Sequence, residues 1–474
     1  MAVKLIKDDG GSSDDVQNIE DATTPTDLNP KADKKLLRRL DLHVLPWLCL
    51  LYALSLFDRN SISTAKIVGL VDDLKLLGNH YSVALLSFFP TYILIELPAN
   101  TLIRKFGPKR MLTCMILCWG TVAMCFGFVN TFTQLIALRV LLGIFEGGFN
   151  PACVYLISSW YKRYEVQQRI AIWYISGSFI SGFSGIISYG LSNMEGVGGL
   201  RGWRWIFIIP GILTICMAVP IFLFVSDFPE KATWLRPDEL ERIKSRLDED
   251  RGEKMEDKIT RKVLIEVYSD WKLWVLSLLH FFITSGAYAM SFFTPSILRG
   301  FGYDVALSQI LVTPPYVCAA LCAVGSSILA DRYCKRSPFL VGFMMLAILG
   351  IVLIGWGHNT GMKLTGVFFA ITGTTCATPA VLAFMVNNIV GSAKRQAGIP
   401  LQLMFGGLGG VAPSLWFRNQ DAPYYMPGLY ASLTSFSMCA IGTGLMALYY
   451  RNQNRKADKY GIILEGLEGF RYTL

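Results

Sequence analysis

The chain alternates between long runs nearly free of charge and short turns where charge, glycine and proline collect. An apolar helix needs about 20 residues to cross the hydrocarbon core of a bilayer. With that ruler the pattern predicts twelve spans, at about 43 to 66, 80 to 103, 109 to 128, 132 to 157, 168 to 191, 203 to 225, 271 to 297, 305 to 330, 337 to 357, 363 to 389, 396 to 417 and 427 to 450. One long polar connection, about 226 to 270, carries both charge signs (PDELERIKSRLDEDRGEKMEDK) and splits the spans six and six. The expected fold is an all-α membrane protein. Residues 1–40 form a disordered cytoplasmic tail, 41–225 a first six-helix bundle, 226–270 a cytoplasmic surface linker, 271–450 a second six-helix bundle and 451–474 a second cytoplasmic tail.

Composition narrows the class further. Of 474 residues 53% are hydrophobic and 17% charged, where a soluble domain carries roughly 25% charged residues. That argues against a soluble enzyme. The formal charge of +9 does not point to nucleic acid, because lysine and arginine sit in short clusters between apolar runs. Those clusters (Lys34, Lys35, Arg38 and Arg39; Arg104, Lys105, Lys109 and Arg110; Lys162 and Arg163; Arg332, Lys335 and Arg336; Lys394 and Arg395; Arg451, Arg455 and Lys456) fall at alternate turns. The positive-inside rule places those turns and both termini in the cytoplasm. All of the 11 cysteines except Cys334 lie inside apolar runs, without CxxC spacing, so neither a disulfide framework nor a zinc site is expected. No metal, cofactor, phosphate loop or nucleophile-base constellation is expected either, and the chain is read as a non-enzyme.

A weak internal repeat supports the division. Pro151-Ala152 recurs as Pro379-Ala380, and Arg169-Ile170-Ala171 as Arg395-Gln396-Ala397, at a common offset of 226 to 228 residues. The basic turn after the second span has a counterpart after the eighth, where Asp331 and Arg332 read as gate or structural charges. Duplicated halves of this kind are typical of secondary transporters.

The most informative residues are the charges inside spans, since each costs at least about 2.5 kcal/mol at mid-membrane and so faces a protein interior or an aqueous cavity. They are Asp58 and Arg59 in the first span, Glu96 in the second, and Arg139 and Glu146 in the fourth. Arg139 and Glu146 are seven residues apart, which puts them on one helix face about 10.5 Å apart along the axis. Two readings are open. In one, the four charges of spans 1 and 4 form a site in which guanidinium groups hold an organic anion and a buried carboxyl takes the coupling proton. In the other, Asp58 neutralises Arg59 or Arg139, and Glu146 is a packing acid among Gly143, Gly147 and Gly148. Glu96, near the basic turn, reads as a gate residue, and Tyr92, one turn away, as either a substrate contact or ordinary aromatic packing. His280 and His358 read as structural, and Asn388 as either a helix cap or a cavity residue.

Several stretches resemble a known family: FDRNSISTAKIVGLVDDL, ELPANTLIRKFGPKR, RVLLGIFEGGFNPACVYLISSWY, GWRWIFIIPGI, DFPEKATWL, NNIVGSAKR and FRNQDAPYY. From about residue 34 to 460 the chain is similar to the anion:cation symporter family of the major facilitator superfamily, within it to the fungal allantoate permease branch that also holds nicotinate, pantothenate and biotin carriers. The resemblance implies proton symport of a small organic anion by alternating access. It implies substrate-binding roles for Arg139, Arg59 and Tyr92, and proton-coupling roles for Glu146 and Asp58. A departure is Gly407, where relatives often carry asparagine. The expected protein is a monomeric importer of a monocarboxylate in the plasma membrane, whose partners are the anion, protons and the bilayer. Export of a fungal secondary metabolite, or a nutrient sensor that does not transport, are the alternatives.

Overall fold

The computed structural model describes residues 30–161, 163–225, 232, 234–252, 261–333, 335–390, 392–422, 424–467 and 469–473. Among the described residues regular structure is helical throughout, save one bridge between Leu464 and Leu467. The expected N-terminal tail up to residue 29 lies outside the described residues, and the helical membrane unit begins at Val44.

Ten helices among the described residues are long and apolar enough to cross a membrane by length and composition. Helices Phe88–Phe106 and Ser392–Trp416 stand at the expected second and eleventh spans but lie outside that set. In the former, Glu96 adds a charge to Arg104 and Lys105; in the latter, five glycines and two prolines dilute the apolar content. The burial pattern inverts that of a soluble helix. On Gly202–Phe224, Val219 and Leu223 are 62% and 64% exposed while Trp203 and Ile206 are buried, as expected where lipid is the solvent.

Some boundaries differ from expectation for local reasons. The first helix begins at Pro30, inside the expected tail, and runs past Pro46 to Ala65. It then widens into a π-helical turn, Lys66–Leu70, that Gly69 closes at φ 128°, a conformation open to glycine but not to L side chains. The fourth span breaks between Phe132–Glu146 and Phe149–Trp160 at Gly147 and Gly148, and the fifth between Arg163–Ser181 and Ser184–Ser192. The linker contains two helices, Pro237–Gly252 and Arg261–Ser269.

Within each half, glycine sets the closest helix crossings. Gly211 of Gly202–Phe224 lies against Met124, where an added Cβ would stand 2.7 Å from its Cα. Gly350 of Ser337–Trp356 abuts Thr360–Asn388, where a Cβ would stand 2.6 Å from the Gly366 carbonyl. Between the halves, Thr313 donates to the Gly182 carbonyl at 2.7 Å, and a Cβ at Gly182 would meet Tyr316 at 2.6 Å. Gly410 faces the ring of Phe89, and a Cβ at Gly407 would stand 2.9 Å from Ile93. Gly407 is thus a seam position against the second span, and any larger side chain there collides with Ile93.

The C-terminal tail is docked rather than free. Asn454 donates to the Tyr472 carbonyl at 2.8 Å and accepts from its N–H at 2.9 Å, while Asn388 does the same for Thr473 at 3.1 and 2.7 Å. Tyr472 stacks on Tyr450 with centroids 4.3 Å apart and donates to Glu465 at 2.6 Å, and Lys272 pairs with Glu465. The tail therefore ties together the ends of Trp271–Gly300, Thr360–Asn388 and Met426–Tyr460.

Two outcomes follow from this packing. Gly350→Val is expected to cost about 1 to 3 kcal/mol, read as a lowered melting temperature in detergent, because both sides of that crossing are backbone. Gly342→Val, with nothing within 4 Å of its Cβ, is expected to melt like the parent, and equal melting of both variants would contradict the crossing. The second concerns Glu465, whose burial opposes ionisation but whose hydrogen bonds from Lys272 and Tyr472 outweigh that and hold its carboxyl below the usual 4.5. A depressed carboxyl stabilises the docked tail above its unfolded value and ceases to do so as pH falls through the folded one. Amide exchange at Tyr472 and Thr473 should be slow at neutral pH relative to its intrinsic rate, and lose that protection below about 4.5. Protection independent of pH would remove Glu465 from the docking.

Candidate functional site

The expected intramembrane charges come together where the first helix meets the fourth span. Ser55, Asp58 and Arg59 recur at three- and four-residue spacing on Pro30–Ala65, which sets Ser55 one turn before Arg59 on one face. Arg139 and Glu146 lie on Phe132–Glu146. Gly143 lets that helix approach Phe88–Phe106 so closely that a Cβ there would stand 3.1 Å from the Tyr92 nitrogen. Thr91 locks the contact by donating to the Val140 carbonyl at 3.1 Å.

All four charged side chains are buried, with Glu146 at 0% and Arg139 at 2% exposure. Arg59 forms an ion pair with Glu146 Oε1, which also accepts from Ser55 Oγ at 2.6 Å. The other terminal nitrogen of Arg59 donates to Tyr288 of the second half at 2.9 Å. Its guanidinium lies 5.2 Å from the ring centroid of Phe88 and 5.1 Å from that of Tyr92. Asp58 accepts from Trp119 Nε1 at 2.9 Å and pairs with neither arginine. The structural reading in which Asp58 neutralises Arg59 or Arg139 does not hold: the acid that meets Arg59 is Glu146, and Asp58 turns to an indole.

Arg139 is the anomaly of the group. No carboxylate among the described residues lies within ion-pair distance of it, and its Nε and Nη2 have no protein hydrogen-bond partner. Its guanidinium sits 5.1 Å from the ring centroid of Phe126. Removing a cation from water costs several kcal/mol, a cost normally offset by a counter-ion and hydrogen bonds. A cation held without either is suited to binding an anion from outside the protein. Glu146 Oε2, Arg59 Nε and Asn150 Oδ1 likewise lack protein partners.

Tyr92 accepts from Asn150 Nδ2 at 2.8 Å. Glu96 is buried one turn beyond Tyr92, with Oε2 unpartnered, and lies within electrostatic reach of Arg59. It borders the cluster as well as the basic turn. Asp331 and Arg332 have a described helical backbone, but their side chains lie outside the described residues. His280 is structural, its Nδ1 against the Gln402 carbonyl at 2.8 Å, and Asn388 holds the tail. Sequence reasoning passed over Ser55, Trp119, Asn150 and Tyr288. Ser55 carried a usable signal, its spacing from Arg59; Tyr288 carried none, because only the meeting of the two halves brings it to Arg59.

With this geometry in place, likeness to known proteins becomes informative. The profile of the Major Facilitator Superfamily matches residues 48–414. A major facilitator-type transporter, hxnP of Emericella nidulans, is 30% identical over 95% of this chain and 94% of its own length. The high-affinity nicotinic acid transporter of Saccharomyces cerevisiae is 27% identical over 92% of this chain and 81% of its own. Among solved structures, a bacterial homolog of the human lysosomal transporter Spinster, inward-facing and occupied, superposes with a TM-score of 0.64 at 17% identity, covering 86% of this chain and 96% of that one.

The Arg59–Glu146 pair generates a test of its own. Arg59→Leu strands a buried carboxylate and is expected to cost about 3 to 5 kcal/mol in thermal unfolding in detergent. Arg59→Leu with Glu146→Leu should be less destabilised than Arg59→Leu alone. A double variant as unstable as the sum of the singles would mean that the pair contributes no coupling.

Proposed function

Because the chain belongs to the Major Facilitator Superfamily and is therefore a membrane transporter, not an enzyme, we propose that it imports a small organic anion, a monocarboxylate, by proton symport. The observation that carries this reading is Arg139, a buried guanidinium with two unpartnered nitrogens beside a buried arginine–glutamate pair. Resemblance to the allantoate permease branch and likeness to a protein named for nicotinic acid transport support the substrate class.

Charge balance supplies the coupling. Asp58 and Glu146 against Arg59 and Arg139 sum to zero when all are ionised. An entering carboxylate leaves the cluster negative unless a proton accompanies it, and net charge in a low-dielectric interior is costly. Glu146 is the group best placed to take the proton. Neutralising it loosens its hold on Arg59, whose guanidinium then joins Arg139 on the substrate carboxylate, a geometry suited to bidentate pairing. Tyr92, beside Arg59, supplies a wall and a hydroxyl. Release of the proton returns Arg59 to Glu146 and expels the anion.

Asp58, held by Trp119, is the second acid of the cluster and shares the proton-coupling role with Glu146, and we assign Glu96 to the gate beyond Tyr92. Alternating access would proceed by rocking of two six-helix bundles, residues 41–225 and 271–450, across the glycine seams between the halves. The positive-inside distribution of lysine and arginine supports cytoplasmic termini, and by resemblance to the permease branch we read the protein as a monomer of the plasma membrane.

The experiment is internal pH in proteoliposomes while nicotinate, allantoate, pantothenate and biotin are added outside in turn. Acidification with one of them, absent from empty vesicles, is expected. Glu146→Gln should lose proton-driven accumulation but retain exchange of labelled substrate. Accumulation that survives in Glu146→Gln would transfer the coupling elsewhere.

A further inference from the structure

Lys66 lies in the π-helical turn at the end of the first helix, seven residues after Arg59. Seven residues are two helical turns, so Lys66 shares the face of Arg59 about 10.5 Å further along the axis. In the proposed orientation this is the external side.

The ammonium is caged by rings from both halves. Its nitrogen lies 4.4 Å from the ring centroid of Tyr81, 5.4 Å from that of Phe293 and 5.7 Å from that of Tyr425, whose hydroxyl is 3.4 Å away. Phe417 backs the cage by stacking on Phe293 at 4.8 Å. Tyr81 belongs to the first half; Phe293 and Tyr425 belong to the second. Among the described residues no carboxylate pairs with Lys66. Of the acids in the neighbouring loops, Asp73 accepts from Trp203 at 2.6 Å and pairs with Arg201, and Asp421 pairs with Arg418. Tyr425 holds its position at φ 50°, a left-handed conformation uncommon for a tyrosine, immediately before Met426–Tyr460.

A second observation points to a ligand. The Tyr81 hydroxyl is fully buried and has no protein partner. Its ring covers Lys66 and its phenol lies within electrostatic reach of Arg139. Lys66, the Tyr81 hydroxyl, Arg139 and Arg59 thus form a sequence of positive or donor groups from the end of the first helix to the buried pair.

We propose that Lys66 and the Tyr81 hydroxyl form an outer capture site for the transported carboxylate, closed by the aromatic cage and opened when the two halves part. This rests on the anion-carrier reading above. Separation of the halves strips Phe293 and Tyr425 from Lys66 and leaves the ammonium facing the gap, with Tyr81 beside it to pass the carboxylate to Arg139. As the halves close, the rings replace the anion around the ammonium, so captured substrate is driven inward instead of being held at the mouth. A cation at a narrow mouth also raises the local concentration of anions, an effect that salt screens.

The test is initial uptake into proteoliposomes, for whichever of nicotinate, allantoate, pantothenate and biotin the parent takes up fastest, at low and high external ionic strength. Lys66→Gln is expected to raise KM about tenfold, leave the maximal rate within about twofold, and flatten the salt dependence of KM. Lys66→Arg should restore both KM and the salt dependence, and Tyr81→Phe should raise KM several-fold. An unchanged KM in Lys66→Gln, or a fall in maximal rate at constant KM, overturns the capture site while the anion-carrier reading stands. If Lys66→Gln fails to fold, Tyr81→Phe decides alone, and an unchanged KM there overturns the proposal. A parent that takes up none of the four overturns the carrier reading and the capture site together.

Discussion

Everything about this site depends on the cost of holding charge away from water. Glu146 is fully buried, and what keeps it there is a set of contacts from one helix face: the guanidinium of Arg59 and the hydroxyl of Ser55. Arg59 in turn is steadied by the faces of Phe88 and Tyr92 and by the hydroxyl of Tyr288. A buried pair of this kind contributes little net stability, since desolvation consumes most of its attraction. Its value lies in being conditional. Add a proton to the acid or an anion near the arginine, and the balance of the whole cluster changes.

The helix packing serves that conditional pair. Gly143 brings the fourth span against the second, which places Tyr92 beside Arg59, and the break at Gly147 and Gly148 ends the helix just past Glu146. At the seams between halves the contacts are again small residues against rings or backbone: Gly182 against Tyr316, Gly407 against Ile93, Gly410 against Phe89. Where glycine lines the seam no long side chains interlock, so parting the halves breaks specific contacts elsewhere, among them Arg59 on Tyr288 and Lys66 on Tyr425. The tail, by contrast, is tied to one half only, through Asn388, Asn454 and Lys272. It stiffens that half as a body without bridging to the other.

Across the seam two cations are treated alike. Arg59 reaches Tyr288, and Lys66 reaches Tyr425 and Phe293, so each is capped by aromatic residues of the second half. Aromatic faces can solvate a cation without neutralising it. A carboxylate beside Lys66 would have bound that cation outright and left nothing for an anionic substrate, whereas Arg59 is already held by Glu146 and is freed only when that acid is neutralised. Lys66 therefore keeps its charge available while the protein is closed.

Sequence alone determined the class of protein and the identity of the charged residues. Period, length and composition sufficed for an all-helical membrane chain, because a bilayer forces backbone hydrogen bonds to close within each segment and so makes apolar length nearly synonymous with structure. Asp58, Arg59, Glu96, Arg139 and Glu146 were conspicuous for the same reason, since charge in such segments is rare. Partnership was a different matter. The helix carries Asp58 and Arg59 side by side, and only its rotation against the fourth span decided that Arg59 meets Glu146, that Asp58 meets Trp119, and that Arg139 forms no ion pair among the described residues. The cage on Lys66 was equally invisible, assembled from rings more than two hundred residues apart in the chain. Residue type sets what a group can bind, but rotation and crossing angle set what stands within 4 Å of it, and those come from packing spread over the whole chain.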